Sequence, residues 1–336
     1  MLPDKIPFEV TIRCNCRCEM CRYYSDNSPE PDLSEMSTAQ VKASLIKFKK
    51  FYAKNNKKLK IGLTGGEPLI RSDIKEIIAF MKKEGIQYDI VTNLSLASKD
   101  IIDFLKTNPP FAIDVSIDGV GETHNKIRRA KIFDKVKENL LYIKKSLPKI
   151  PLQIDCTITN TNHNKLAEMA QFAVDNKINL NIRHLNFVTK ELLKKQQNFE
   201  LTKFGKVFNH SFNLYSIEKK NVSALVKEIK KVKRIASKQD IVKITFFPNL
   251  KSTLNDWYLT PEKQLSTNFC DPYKIRIKPN GDIVHCENYA YGNIIEQSLD
   301  AIIRSKKTQR FVNVLKKSPM PFCNRCCFSF MNYLEK

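Results

Sequence analysis

Long apolar runs and a secretory signal are absent from this sequence. No stretch of about 20 residues is apolar enough to span a bilayer. The chain opens Met1-Leu2-Pro3-Asp4-Lys5, without the apolar segment of a signal peptide. These absences predict a cytoplasmic protein with no transmembrane segment. Because that compartment is reducing, the ten cysteines are expected to serve as metal ligands before disulfides.

Acidic residues are scarce relative to basic ones. The chain has 57 Lys and Arg against 35 Asp and Glu, a net charge of +22. This balance raises nucleic acid as a partner, and it also suits small acidic ligands. Most basic clusters, however, lie in helical patterns with apolar spacing, which predicts solvated outer faces. No RNA-binding module is recognisable. The sequence therefore favours a small or acidic substrate over nucleic acid.

Short apolar runs alternate with longer amphipathic ones over the first 190 residues. Six strands with intervening helices predict a parallel sheet, and six rather than eight fits an open, partial (β/α)6 TIM barrel, an α/β fold. The predicted strands are 6–13, 59–64, 87–92, 111–117, 152–158 and 179–187. The predicted helices are 37–55, 71–85, 97–107, 133–147 and 163–177. We expect the barrel at 1–190, a helical connecting region at 191–256 and a small C-terminal domain at 257–336.

Three cysteines follow the first predicted strand in a C-x3-C-x2-C pattern: Cys14, Cys18 and Cys21. Three thiolates leave one iron of a four-iron cluster open for a ligand. A structural zinc site is the alternative, but zinc is usually closed by four ligands and no fourth is obvious here. Cys16 is expected to point away from its neighbours and, like Cys156, to be a packing or spare thiol.

The only adjacent glycines, Gly65 and Gly66, precede Glu67 and Pro68 after the second predicted strand. A glycine pair at a strand end lets the backbone approach a ligand closely. The carboxylate of Glu67 is suited to binding an ammonium group. Alone, this segment would be equally typical of an ordinary turn between a strand and a helix.

A second group of cysteines lies near the C-terminus. The alternation at 275–286, with its Pro-Asn-Gly-Asp turn, predicts a β-hairpin that brings Cys270 close to Cys286. The C-x2-C pair of Cys323 and Cys326 would complete a four-thiolate site, with Cys327 as a substitute for Cys326. Four cysteines suit either zinc or an iron–sulfur cluster.

Together these motifs resemble the radical S-adenosylmethionine (SAM) superfamily, and the last cysteines resemble its SPASM domain in the shortened form called twitch. The resemblance implies a [4Fe-4S] cluster on Cys14, Cys18 and Cys21, and a second, auxiliary [4Fe-4S] cluster on Cys270, Cys286, Cys323 and Cys326. It also implies a flavodoxin- or ferredoxin-type electron donor. The SAM contacts that it implies are Met20, Gly65, Gly66, Glu67, Pro68, Asn93, Ser116, Asp118 and Arg128.

The resemblance further implies reductive cleavage of SAM to a 5′-deoxyadenosyl radical that abstracts a hydrogen atom from substrate. We expect a net oxidation or rearrangement of a small metabolite, carbohydrate or lipid-linked substrate, with the auxiliary cluster in electron transfer. Only thirteen residues precede Cys14, which favours this substrate class over peptides that need a fused leader-binding domain.

Three alternatives stay open. The first is an enzyme that modifies a ribosomal peptide or a protein side chain, aided by a separate leader-binding protein. The second is a tRNA-modifying radical enzyme. The third is a non-catalytic, zinc-stabilised binding protein. No catalytic acid or base stands out. The residues considered for the pocket are Arg183, His184, Asn186 and Glu287.

Overall fold

The computed structural model describes residues 3–26, 28, 30–208, 216–263, 274–286, 289–317 and 319–326. Three residues considered above, Cys270, Glu287 and Cys327, lie outside these ranges. The strands of the described part form one ten-stranded sheet in the order β10-β9-β8-β1-β2-β3-β4-β5-β6-β7. None of the described helices is long and apolar enough to cross a membrane.

Seven consecutive parallel strands build the barrel sheet. They are β1 Ile6–Thr11, β2 Lys60–Gly65, β3 Gln87–Thr92, β4 Ile113–Ser116, β5 Leu152–Thr157, β6 Asn179–Arg183 and β7 Ile244–Phe247. The predicted α/β partial barrel is confirmed, and all six predicted strands are present. The seventh strand was not predicted. It comes from the region 191–256, so that region is not purely helical, and it covers the edge of β6 with Leu180 opposite Ile244.

Helices connect the strands and cover one face of the sheet. They are α1 Thr38–Lys54, α2 Ile74–Lys83, α3 Lys99–Thr107, α4 Glu122–Arg128, α5 Phe133–Ser146, α6 Leu166–Asp175, α7 Lys190–Phe204, α8 Lys219–Ser237, α9 Leu254–Leu259, α10 Leu299–Arg304 and α11 Lys306–Lys317. The start of α1 is fixed by a capping box between Ser37 and Gln40. A short 3-10 helix, Pro321–Arg325, carries Cys323.

The two faces of the barrel sheet differ in character because side chains alternate along each strand. The face toward the helices is apolar and fully buried, with Phe8, Leu63 and Val115 among its members. The opposite, inner face is polar. Its register-matched residues include Glu9, Thr64, Asp89, Asp114, Ser116, Asp155, Asn181, Arg183 and Thr245. A barrel lined this way has an interior suited to a polar ligand.

The C-terminal part is an antiparallel unit of β8 Ile275–Ile277, β9 Asp282–His285 and β10 Tyr289–Asn293. The predicted hairpin at 275–286 is therefore present, with a further strand added. Its first strand, β8, pairs in parallel with β1 through Phe8 and Ile277. The C-terminal unit thus extends the same sheet as the barrel.

An ionic cluster on the inner face ties this unit to β1. The buried carboxylate of Glu9 accepts a hydrogen bond from Arg276 Nη1 at 3.0 Å and lies 3.1 Å from Lys278 Nζ. It also accepts one from the Tyr23 hydroxyl at 2.7 Å and pairs with Arg22, just after Cys21. One carboxylate therefore joins the barrel, the cysteine loop and the C-terminal unit.

Candidate active site

The cysteine loop is held on the end of helix α4. The Arg17 N–H donates to the Arg128 carbonyl at 3.1 Å, and the Glu19 N–H donates to the Ile127 carbonyl at 2.9 Å. These carbonyls belong to the last turn of α4, where no helical N–H is available to them. The sequence did not predict α4, because seven residues show too little periodicity. Its end supplies the support that places three thiols at the carboxyl edge of the sheet.

The loop brings its thiols close together. Cys18 is buried, whereas Cys14 and Cys21 are partly exposed. The hydrogen bond with the Cys16 thiol lowers the pKa of Cys14 and, with the nearby Arg128 guanidinium, lowers that of Cys18 to about 7. Burial raises the pKa of Cys21. Thiolate formation, which any iron ligand needs, is thus favoured at two of the three positions.

Cys16 does not turn away from its neighbours as expected. Its N–H donates to Cys14 Sγ at 3.4 Å, and its thiol hydrogen bonds with those of Cys14 and Cys18. Asn93 Nδ2 lies 3.6 Å from its sulfur. Among the residues that the structure describes, however, no three Cys, His, Asp or Glu side chains converge on a point where one metal ion would be held.

Gly65 and Gly66 let two backbone segments meet. Gly65 has a φ of 139°, and a Cβ there would lie well inside 3.0 Å of the Thr11 carbonyl. A Cβ on Gly66 would collide with the carbonyls of Ile12 and Arg13. Hydrogen bonds run from the Gly66 N–H to Thr11 and from the Glu67 N–H to Arg13. Glycine is thus needed at both positions because the backbone that leads into Cys14 passes too close for any side chain. The sequence could not show this contact.

Glu67, predicted to bind an ammonium group, is held by hydrogen bonds within the protein. Its side chain is fully buried, and burial raises the pKa of its carboxyl. The carboxylate accepts hydrogen bonds from Thr92 Oγ1 and the Asn93 N–H, both at 2.7 Å, and from the Leu69 N–H at 3.1 Å. These donors fix the ends of β2 and β3 to one another. In this conformation the carboxylate is shielded from any ammonium group, whereas Gly65 and Gly66 are partly exposed.

Asp118 and Arg128, both expected to contact SAM, form an ion pair with each other. Asp118 is fully buried, 2.6 Å from Arg128 Nη2, and accepts a hydrogen bond from the Thr157 N–H at 2.8 Å. Burial raises the pKa of Asp118. Arg128 Nη1 also lies 3.6 Å from Cys18 Sγ. The pair therefore supports the cysteine loop from below.

The other predicted SAM contacts lie at the carboxyl edge. Ser116 ends β4 on the inner face and is partly exposed, as is Met20 in the cysteine loop. Asn93 follows β3, and its Nδ2 donates to Asn15 Oδ1 at 2.9 Å. Asn93 thus connects a strand end to the cysteine loop. Pro68 begins the 3-10 turn after Glu67 and is buried.

Three cysteines of the C-terminal group are described. Cys286 follows β9 with a φ of 53°, and His285 Nδ1 lies 2.9 Å from its sulfur. Cys323 lies within the 3-10 helix Pro321–Arg325 and Cys326 follows it, and all three cysteines are partly buried. Because Cys270 lies outside the described ranges, convergence of the four thiolates stays a prediction.

Arg325, inside the C-x2-C pair, has a role that the sequence did not indicate. It is buried, and its guanidinium donates to the carbonyls of Asp256, Trp257 and Thr260 at 2.5 to 2.9 Å. Those carbonyls end helix α9, and a cation suits the negative end of a helix dipole. The cysteine pair is thus anchored to α9.

His184 is a packing residue. It is buried, its Nδ1 lies 2.8 Å from the Tyr258 hydroxyl, and burial lowers its pKa to about 3. Arg183, its neighbour, faces the barrel interior and pairs with Asp155 at 3.0 Å. Of these two pocket candidates, Arg183 alone lines the interior.

Two family models match the chain. The model of the radical SAM superfamily matches residues 8–173, and that of the iron–sulfur cluster-binding SPASM domain matches residues 270–327. The first match includes the cysteine loop and the Gly65–Pro68 segment, and the second includes the hairpin and the last cysteines.

Curated relatives are distant. An AdoMet-dependent heme synthase of Methanosarcina barkeri is 30% identical over 173 residues, 51% of this chain and 47% of the relative. This chain thus matches about half the length of that relative. A GTP 3′,8-cyclase of Campylobacter fetus is 24% identical over 331 residues, 94% of this chain and 90% of the relative.

Solved structures share the fold. Streptococcus suis SuiB bound to the precursor peptide SuiA has a TM-score of 0.62 at 13% identity, covering 98% of this chain and 76% of that one. The protein anSMEcpe with bound AdoMet has a TM-score of 0.63 at 16% identity, covering 97% and 87%. At these identities the likeness concerns the fold alone.

Family membership overturns the non-catalytic zinc-stabilised alternative. A radical SAM [4Fe-4S] cluster and SAM are the cofactors of the barrel, and the SPASM domain binds auxiliary iron–sulfur. The chain is an enzyme of the radical SAM superfamily with a C-terminal SPASM iron–sulfur domain.

Proposed function

We propose that this enzyme removes a hydrogen atom from its substrate in a net two-electron oxidation. Cys14, Cys18 and Cys21 hold the first cluster and leave one iron for SAM. The observation that carries the proposal is the C-x3-C-x2-C loop fixed on α4 at the carboxyl edge of the barrel, where such folds place their chemistry. When bound, the cluster and SAM supply the 5′-deoxyadenosyl radical that takes the hydrogen atom.

The protein's part in this chemistry is to position groups. Arg128 lies between the buried Asp118 carboxylate and Cys18 Sγ, so it favours the thiolate form of a ligand cysteine. Glu67 sets the spacing between the Gly65–Pro68 segment and the end of β3. We assign Glu67, Asp118 and Arg128 as positioning residues rather than direct SAM ligands.

Direct contacts with SAM are assigned to groups that lie at the same edge. The backbone carbonyls of Gly65 and Gly66 replace the Glu67 carboxylate as acceptors for its ammonium group. Ser116 and Asn93 at the ends of β4 and β3 suit the ribose and carboxylate, and Met20 suits the adenine ring because its thioether is polarizable. These five residues are exposed or lie at strand ends around the cysteine loop.

The C-terminal domain, proposed at 257–336, takes one auxiliary [4Fe-4S] cluster on Cys270, Cys286, Cys323 and Cys326. Four cysteine ligands leave no iron open, so its task is to accept the second electron of the oxidation. An external flavodoxin- or ferredoxin-type protein supplies electrons to the first cluster. We expect a cytoplasmic location, because that compartment keeps cluster-ligating cysteines out of disulfides.

The substrate is a small metabolite, carbohydrate or lipid-linked molecule, which the polar barrel interior supports. A peptide or protein side chain is the second candidate. It is supported by the fold shared with SuiB, whose structure contains a precursor peptide. A separate leader-binding protein would then be the partner.

Anaerobic reconstitution with iron and sulfide, followed by dithionite and SAM, tests the proposal. We expect about eight irons per chain and release of 5′-deoxyadenosine. Cys18→Ala should abolish that release, whereas Cys156→Ala, a buried cysteine on the helix-facing side of β5, should retain it. Release by Cys18→Ala at the normal rate would contradict the assignment.

Three further observations address the finer points. About four irons per chain would remove the auxiliary cluster. A Cys270→Ala/Cys286→Ala variant that converts substrate at the wild-type rate would contradict the electron-acceptor role. Co-purification of tRNA, with affinity falling steeply as salt rises, would favour the tRNA-modifying alternative.

A further inference from the structure

A tyrosine hydroxyl joins the cysteine loop to the C-terminal unit. Tyr23 follows Cys21 by two residues, and Lys278 lies directly after β8, 255 positions further along the chain. Lys278 Nζ donates a hydrogen bond to the Tyr23 hydroxyl at 2.7 Å. The same ammonium lies 5.2 Å from the centre of the Tyr23 ring, a cation–π contact. The C-terminal unit therefore contacts the segment that immediately follows the third cysteine of the loop.

The Tyr23 hydroxyl is the centre of a buried hydrogen-bond network. It donates to Glu9 Oε2 at 2.7 Å, and it accepts from Arg22 Nη2 at 2.8 Å in addition to Lys278. The residue is only 8% exposed. A buried hydroxyl with three partners has little freedom to move, because each displacement would leave a buried polar group unsatisfied.

The backbone of the same tyrosine holds Cys21. The Tyr23 N–H donates to Cys21 Sγ at 3.4 Å. The Cys21 carbonyl accepts from the Ser25 N–H at 2.9 Å and from the Ser28 hydroxyl at 3.0 Å. Hydrogen bonds to ligand sulfurs orient them and tune the metal centre that they hold. Two hydrogen bonds of one residue thus connect Lys278 to the Cys21 sulfur.

Neutralisation of Glu9 does not account for Lys278. Glu9 already has Arg22 and Arg276 as cationic partners, and Lys278 Nζ lies 3.1 Å from it as a third. Burying a further ammonium is costly. Burial lowers the pKa of Lys278 to about 8, so the charged, donating form still predominates at pH 7. Its contact with Tyr23 gives this third cation a separate role.

Lys278 is carried by a rigid part of the C-terminal unit. Its N–H donates to the Asp282 carbonyl at 2.9 Å across the hairpin. The carbonyl of the next residue, Pro279, accepts from the Met36 N–H of the barrel at 2.7 Å. A lysine fixed on both sides in this way can serve as a firm support for the tyrosine.

We propose that Tyr23 is a positioning residue for Cys21 and that Lys278, supplied by the C-terminal unit, holds Tyr23 in place. The C-terminal unit then has a role besides binding its own iron–sulfur, because it completes the site of the first cluster. The inference rests on the proposed function in one respect, since it takes Cys21 as a ligand of that cluster.

Binding of SAM to the reconstituted, dithionite-reduced enzyme tests this inference. Only the first cluster binds SAM, so the change that SAM causes in the electron paramagnetic resonance spectrum reports on that cluster alone. We expect Lys278→Met to raise the SAM concentration needed for half of this change about tenfold, which corresponds to about 1.4 kcal/mol. Losses of 10- to 100-fold are typical when a residue that supports a metal ligand is removed.

The matched control is Lys47→Met. Lys47 also ties the C-terminal unit to the barrel, through the carbonyls of Ile294 and Ile295 at 2.6 and 3.0 Å. Those contacts do not involve the cysteine loop, so this variant should bind SAM as the wild type does. Wild-type SAM binding by Lys278→Met would overturn the inference. An equal loss in Lys47→Met would also overturn it, because attachment of the unit in general would then be the cause.

A double-mutant cycle with Tyr23→Phe adds a second measurement. Tyr23→Phe should weaken SAM binding at least as much as Lys278→Met does, and Lys278→Met should add little in the Tyr23→Phe background, because the contact between them is already lost. Fully additive losses would contradict an action of Lys278 through Tyr23. If Tyr23→Phe does not fold, as judged by circular dichroism, the comparison of Lys278→Met with Lys47→Met decides.

The proposed function is judged separately, from 5′-deoxyadenosine release by the wild-type enzyme. Absence of that release, with a response to SAM that still depends on Lys278, would contradict the proposed chemistry and leave this inference standing. Normal release with a response that does not depend on Lys278 would overturn the inference alone.

Discussion

Replacing Asp114 by Asn should make the protein more stable at neutral pH. The native carboxyl has a pKa of about 6 instead of its ordinary 3.8, chiefly because it is buried and next because Asp155 and Asp89 repel its charge. The folded state therefore favours the protonated form. Asparagine has nearly the same shape and carries no charge to desolvate, so it removes this penalty.

The stability that Asp114 contributes to the folded state should fall as the pH rises. Between pH 3.8 and about 6 the folded chain binds more protons at Asp114 than the unfolded chain does, so wild-type stability falls as the pH rises through this window. The penalty is complete above about pH 7, and it vanishes below the unfolded pKa. A difference of about 2 pKa units corresponds to about 3 kcal/mol, and partial exposure of the side chain reduces this to about 1–3 kcal/mol.

Urea unfolding of wild type and Asp114→Asn over pH 4 to 8 measures how much the charge of Asp114 destabilises the folded state. The midpoint of the variant should exceed that of wild type above about pH 7, and the two should converge toward pH 4. Asp103→Asn should show no such gain, because Lys106 lowers the pKa of Asp103. A variant less stable than wild type at pH 7.5, or a difference independent of pH, would refute the reasoning.

Three other substitutions test the support of the cysteine loop and the auxiliary domain. Gly66→Ala should lower the free energy of unfolding by about 1–3 kcal/mol and reduce the iron content, because its Cβ would collide with the Ile12 carbonyl. A variant with the wild-type melting temperature and iron content would contradict this expectation. Asp118→Asn should cost about 3 kcal/mol in urea unfolding, because it leaves Arg128 buried without its counter-charge; unchanged stability would show the pair to be unimportant. Arg325→Met should lower the free energy of unfolding by about 3 kcal/mol, because it leaves the last carbonyls of α9 without donors. Iron should be lost from the auxiliary site at the same time. An unchanged melting temperature would argue against Arg325 as the anchor of the cysteine pair.

Periodicity predicted most of the barrel, but not its shortest elements. The six predicted strands and the C-terminal hairpin are long enough, or flanked by clear enough turns, to show their pattern. The strand β7 has four residues within a charged region of largely helical pattern, and α4 has only seven, so neither was recognised. Pairing with β6 and support of the cysteine loop, both tertiary contacts, determine these elements.

The candidate site divides in a similar way. The motifs around Cys14 and Gly65 were visible because their spacing alone is informative. The burial of Glu67 and the pairing of Asp118 with Arg128 were not, because a motif does not tell which of its polar groups point to a ligand and which bind the protein itself. The contact between Lys278 and Tyr23 was missed altogether, since residues so far apart in the chain share no sequence signature.

The attachment of β8 to β1 has a consequence for engineering. The strand that delivers Cys14 is an inner strand only because the C-terminal unit lies beside it, and without Arg276 and Lys278 the buried Glu9 would keep Arg22 as its cationic partner but lose the other two. If the C-terminal domain were exchanged for that of a relative, the new domain would therefore have to supply equivalents of Arg276 and Lys278 and a strand that pairs with β1 as β8 does. A chimera that exchanges the domain without these residues would leave β1 as an unpaired edge strand, prone to aggregation, next to the iron–sulfur cluster.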